Sequence, residues 1–272
     1  MAEYNLTQAR QVIIHGDCWP VVTTTEHLVR SALPGCDCET TYMLPVLLQQ
    51  LCQKPEAILI LCLRPREHLF LFYALKNALL HHPALVISDE LLFSDRVVLH
   101  SWGDIPAVLH QALAGTVARI QHGEQPYPVN RKLADFLSAP KPVTGYFAVP
   151  LIFTSPERLM NFMSLLMFRA TESCGVTPAQ QKLLQEVYRG HTLAEMTGIL
   201  NTDMKKIWQN KDRLLAKMGM RNRLYELLNG TRFREDLQRT AFMAPAESRN
   251  HRSSLPEYAI AKNENSRCKL AG

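Results

Sequence analysis

The sequence predicts an α/β domain built on a parallel sheet, followed by an all-α domain of four short helices. Three observations carry this expectation. Residues 11–120 alternate short apolar runs with helical stretches, the pattern of repeated βα units. Residues 176–230 carry apolar side chains at helical spacing, punctuated by Gly190 and Gly219. The charge also divides: nine Lys and Arg face five Asp and Glu in residues 176–230, against thirteen and fifteen in residues 1–175.

In the first domain, residues 11–15 are an expected strand and residues 23–32 the helix after it. Residues 57–62 lack polar alternation and read as a central strand buried on both faces. Residues 68–80 set Leu69, Phe72, Tyr73, Leu75, Lys76 and Leu79 on one broad helical face. Residues 85–87 and 97–100 are expected as further strands and residues 105–118 as the last helix, while a strand within 38–45 is poorly marked. Five prolines between 121 and 150 give an irregular connection with one short helix at 131–137. Residues 155–170 are apolar on more than one face; the helix either packs on the first domain or offers a dimerisation surface. Residues 231–239 are expected to extend a helix and residues 244–272 to form a disordered polar tail.

The second domain opens with Thr177 as a cap oxygen and Pro178 in the first turn. Leu183, Leu184, Val187 and Tyr188 recur until Gly190, and Leu193, Met196, Thr197 and Leu200 face inward from a second helix. Asn201, Thr202 and Asp203 supply a turn and a cap. In residues 204–218, Ile207, Leu214, Leu215 and Met218 can anchor a core. That leaves Lys205, Lys206, Trp208, Gln209, Lys211, Asp212 and Arg213 to point outward. Residues 221–229 complete the set with a short fourth helix.

Residues 176–223 resemble the LuxR-type helix-turn-helix of bacterial transcription regulators. The resemblance rests on Val176-Thr177-Pro178-Ala179-Gln180, Gly190, Glu195-Met196-Thr197, Lys206-Ile207-Trp208-Gln209-Asn210 and Lys217-Met218-Gly219-Met220-Arg221-Asn222-Arg223, with no insertions. The opening departs from the family's Arg-Glu at Ala179-Gln180, and its Thr and His in the third helix are Lys206 and Asn210. The resemblance implies that Trp208, Gln209 and Asp212 reach base edges, with Arg221 in the basic end of the motif. Lys205, Lys206, Lys211 and Arg213 have the chemistry to neutralise phosphates. Gln209 has the donor and acceptor for adenine.

The strand and helix order of residues 1–120 resembles the receiver domain of response regulators, a flavodoxin-like fold. A working receiver would hold Mg²⁺ on two carboxylates after the first strand and phosphate on an aspartate ending the third. A hydroxyl and a lysine complete such a site. Here Asp17 stands alone, Cys62 occupies the phosphoacceptor position, Ser88 is the candidate hydroxyl, and no lysine lies between Val97 and Pro106. A thiol cannot form the acyl phosphate, and one carboxylate holds Mg²⁺ weakly. The resemblance therefore implies control without aspartyl phosphorylation. Cys62 itself has two readings: a thiol activated by Arg64 or Arg66, or a small buried hydrophobe.

Bulk properties exclude several classes. No run of about 18 apolar residues exists to span a membrane, and no secretory signal opens the chain. Seven scattered cysteines read as reduced cytosolic thiols, and Cys36-Asp37-Cys38 has no companion pair at zinc-site spacing. No catalytic constellation, metal or cofactor is expected. The expected protein is a cytoplasmic transcription regulator that binds double-stranded promoter DNA as a homodimer or beside a related regulator. The other reading is an interaction module that keeps the fold without sequence-specific DNA recognition.

Overall fold

The computed structural model describes residues 10–113, 130–149, 152–221 and 223–243. Five parallel strands, β1 (Gln11–Gly16), β2 (Asp37–Thr41), β3 (Ile58–Cys62), β4 (Ala84–Ser88) and β5 (Ala107–Leu109), stand in the order β2-β1-β3-β4-β5. Helices α1 (Trp19–Ala32), α2 (Leu44–Gln53), α3 (Leu69–Leu79), α4 (Phe93–Ser101) and α5 (Arg131–Ser138) accompany the sheet. Alternation along β3 splits the core. Leu59 and Leu61 join Ile13, Val86 and residues of α2, α3 and α4 on one face, while Ile58, Ile60 and Cys62 join Val12, Ile14 and residues of α1 and α5 on the other. Burial on both faces is why β3 is apolar throughout.

The remaining helices are α6 (Pro156–Ser173), α7 (Pro178–Tyr188), α8 (Glu195–Ile199), α9 (Met204–Lys217) and α10 (Leu224–Gly230). Leu159, Met160, Met163 and Met167 of α6 are buried, and the same apolar core runs on through Leu183, Leu184, Met196, Ile207 and Leu214. The packing role expected for this helix therefore holds for one face, while Leu165 and Phe168 on the other stay exposed.

Three expectations are corrected, and one helix was not expected. Residues 97–100 lie inside α4, and the fifth strand is Ala107–Leu109, where the last helix was expected to begin. The β-branched Val97 and Val98 suggest a strand, but Asp95 accepts from the Leu92 N–H at 2.8 Å and closes the first helical turn. Helix α2 has no counterpart in the sequence reading, because Met43 offers no cap side chain and only Pro45 signals a start. Residues 231–239 do not extend a helix; they hold only a 3-10 turn at Glu235–Leu237. The expected disordered tail and residues 114–118 of the expected last helix lie outside the described residues.

A buried ion pair within the first domain stands where the second domain touches it. Arg66, 4% exposed, lies in a 3-10 turn at Pro65–Glu67, and its Nη1 donates at 2.6 Å to Asp95 of α4, which is fully buried. Asp95 also accepts from the Arg66 backbone N–H at 2.9 Å. The other guanidinium nitrogen reaches Glu90 and the hydroxyl of Tyr225 on α10. Burial pushes the Asp95 carboxyl upward, against Arg66 and the two N–H donors that favour its charged form. Removing one partner strands the other charge. Asp95→Ala is expected to cost about 3–5 kcal/mol in chemical denaturation, with part of the loss recovered by adding Arg66→Met.

At the carboxyl end of β1, Gly16 packs so tightly that a Cβ there would stand 2.5 Å from the Cys62 carbonyl oxygen. Beside it, His15 is buried, and burial with the nearby His68 depresses its pKa to about 4. An unfolded histidine titrates near 6.5, so this stabilisation is complete above about pH 6.5 and lost as pH falls through about 4. Urea denaturation between pH 7 and pH 4 should show a loss on the order of 3 kcal/mol. His15→Leu should remove that slope.

Candidate nucleic-acid interface

Helix α9 starts at Asp203, whose carboxylate accepts from the Lys206 N–H at 2.8 Å. It ends at Gly219, which takes φ 59°, a conformation available to glycine at little cost. Ile207, Leu214 and Leu215 are buried and fix its rotation. Lys205, Trp208, Gln209 and Asp212 are exposed at helical spacing on the opposite face, flanked by exposed Lys206 and Arg213. Arg221 is also exposed, and its backbone N–H donates at 2.5 Å to the buried Glu226 of α10.

One member of the expected set does not face outward. Lys211 is only 3% exposed. Its Nζ sits 3.6 Å from the centre of the Trp208 ring and 4.0 Å from an Asp212 oxygen. Burial lowers its pKa, opposed by Asp212. The position follows Ile207 by four and precedes Leu214 by three, so helical geometry turns it toward the core. A long apolar stem and an ammonium on an aromatic face make that burial tolerable. Trp208, 45% exposed, is thereby propped in place at one ring face.

Gln180 was missed as a positioning residue. Its side chain completes a capping box with Thr177, accepting from the Thr177 N–H at 3.0 Å while Thr177 Oγ1 accepts from the Gln180 N–H at 3.3 Å. It also donates to the Asn210 carbonyl at 3.4 Å and accepts from Lys217 Nζ at 3.1 Å. The Thr-x-x-Gln spacing was the available signal. The far end of α9 is held from the first domain: Arg96 of α4 donates to the Met218 carbonyl. A cation there also suits the helix dipole.

Cys62 is 2% exposed, its Sγ lies 3.4 Å from Thr25 Oγ1, and burial pushes the thiol up to about 12. Arg64 is engaged with Asp89 and Glu67, and Arg66 with Asp95 and Glu90, so neither serves to activate the thiol. Of the two readings of Cys62, the buried hydrophobe matches this setting. Ser88 donates to the Glu90 carbonyl at 2.8 Å, and His110 follows β5 directly. Asp17 is paired with Arg239 at 2.5 Å and lies 3.3 Å from His68 Nε2. Among the described residues no group of three or more His, Cys, Asp or Glu could hold a metal ion. No described helix is long and apolar enough to cross a membrane.

No family model matches the chain, and no curated protein does. Among solved structures, the response regulator RcsB in complex with DNA aligns with 82% of this chain and 98% of its own, at 16% identity and a TM-score of 0.48. RcsB from Salmonella enterica serovar Typhimurium bound to promoter rprA aligns over the same shares at 18% identity and a TM-score of 0.45. The response regulator StyR aligns over 82% of this chain and 98% of its own, at 16% identity and a TM-score of 0.30. At these values the alignments establish neither a family nor an activity for this chain.

Lys211→Ala should lower the unfolding free energy by about 1–2 kcal/mol through loss of the ring contact. Lys205→Ala, at an outward lysine, should leave that stability within about 0.5 kcal/mol of the parent.

Proposed function

We propose that the chain is a DNA-binding transcription regulator that reads duplex promoter DNA with α9. The observation that carries this is the exposed face of that helix. Lys205, Lys206 and Arg213 surround Gln209 on a helix whose rotation is set by buried Ile207, Leu214 and Leu215. Cations on such a face neutralise phosphates and release counterions, while an exposed amide reads base edges in the major groove. A single module of this size binds weakly, so two copies, or one copy beside a related regulator, occupy neighbouring half-sites.

Control in this proposal is independent of aspartyl phosphorylation and is exerted by partner, dimer state or abundance. Cys62 at the end of β3 and an Asp17 already committed to Arg239 support that reading. A cytoplasmic, non-enzymatic regulator is consistent with both. A second reading, an interaction module without sequence-specific DNA recognition, is favoured by the exposure of Trp208 and the carboxylate of Asp212 on the same face.

Gel shifts with fragmented genomic DNA separate the two. A salt-sensitive, competitor-resistant band is expected, and its absence would leave the interaction module. Lys205→Ala and Lys206→Ala should each weaken binding to all sequences and reduce the salt slope by about one. Gln209→Ala should alter sequence preference with little change in that slope.

A further inference from the structure

In open parallel sheets of this strand order, the crevice outside the carboxyl ends of β1 and β3 is where chain direction reverses and ligands enter. Here residues 238–242, which follow the all-α domain, lie across that crevice. The Gln238 amide donates at 2.9 Å to the Arg66 carbonyl, and its oxygen accepts at 2.9 Å from the Leu69 N–H. That N–H opens α3, whose own cap residue His68 supplies no side-chain cap, so the cap arrives from 169 residues away. The Arg239 N–H donates at 2.8 Å to the Glu67 carbonyl. Its guanidinium bridges Asp17, at 2.5 Å, and Glu67, at 2.9 Å.

Thr240 Oγ1 lies 2.9 Å from His68 Nδ1, and His68 Nε2 reaches Asp17. Phe242 then stacks on Tyr73, with ring centres 5.7 Å apart, and meets the Phe70 ring edge-on at 5.6 Å. Backbone pairing, a guanidinium between two carboxylates and an aromatic anchor three residues on are the elements by which a domain holds an extended peptide. They engage four of five successive residues. Asp17 and Glu67 repel one another, and Arg239 is the cation that bridges the two, beside the Arg64 contact to Glu67 and the His68 contact to Asp17.

We propose that this crevice is a peptide-docking site for an extended, arginine-bearing segment, and that residues 238–242 of the same chain are its resident ligand. The segment latches the end of the reader to the α/β domain at the position where other proteins of this topology bind their ligands. Opening the latch, or exchanging it for the same segment of a second copy, changes the tie between the domains with no phosphate involved. The inference does not depend on DNA binding, and its test reads none.

The probe is a fluorescent peptide of residues 234–243. A tethered ligand acts at an effective concentration on the order of 1 mM, so the parent chain should resist the free peptide at micromolar levels. The full chain carrying Gln238→Ala, Arg239→Ala and Phe242→Ala should bind it at least about tenfold more tightly than the parent. That gain should vanish when the peptide's arginine at position 239 is replaced by alanine, with its Arg234 kept, or when Asp17→Asn is added to the chain. In native-state hydrogen exchange, Gln238→Ala should expose the Leu69 amide while leaving amides of β3 protected. Absence of peptide binding to the opened chain overturns the proposal. So does binding indifferent to the peptide's arginine at position 239 and to Asp17. Where the triple variant does not fold, Arg239→Ala alone is held to the same outcomes, since its side chain is half exposed.

Discussion

A guanidinium buried beside a fully buried carboxylate is tolerable only if each charge finds its partner. Arg66 and Asp95 meet that condition by drawing in the Leu92 and Arg66 N–H groups, Glu90 and the Tyr225 hydroxyl. Because Asp95 also completes the first turn of α4, the pair sets where that helix begins. Because Tyr225 belongs to α10, it also sets where the second domain docks. The desolvation of two charges makes the arrangement intolerant of partial disruption, which suits a junction that must have one geometry.

From that junction, the first turns of α4 hold the all-α domain by its helix ends. Ser94 donates at 3.0 Å to the Asn229 carbonyl near the end of α10, and Arg96 donates to Met218 at the end of α9. Terminal carbonyls have no partner within their own helix, so these contacts satisfy groups that water would otherwise serve. The outward face of α9 lies on the opposite side of the helix from its buried anchors and is left open by this docking. The first domain therefore positions α9 without covering the side chains proposed to touch DNA.

Much of the fold was legible because its signals are local. The unbroken apolar run of β3, the Gly190 and Gly219 stops and the Ile207-Leu214-Leu215 anchors depend only on periodicity and backbone preference, and all stand where expected. The failures share a cause. Residues 97–100 carry strand-forming side chains, yet Asp95, buried by a distant arginine, makes them helix. Lys211 carries a charge that reads as solvent-facing, yet the ring of Trp208 makes its burial acceptable. Residues 231–239 carry no local signal that they would run toward the sheet, because what holds their end is Glu67 and Asp17.

The residues themselves determined that this chain would form a parallel α/β unit followed by a cluster of short helices. They also determined that Cys62 would close the apolar run of β3. Tertiary structure alone decided which charges face water. Lys205 and Lys206 do, whereas Lys211, Arg66 and Asp95 do not. It also decided that Asp17 is neutralised by an arginine 222 residues away. The physical reason is that apolar periodicity acts within one element, whereas the cost of burying a charge depends on partners that only the folded chain brings within reach.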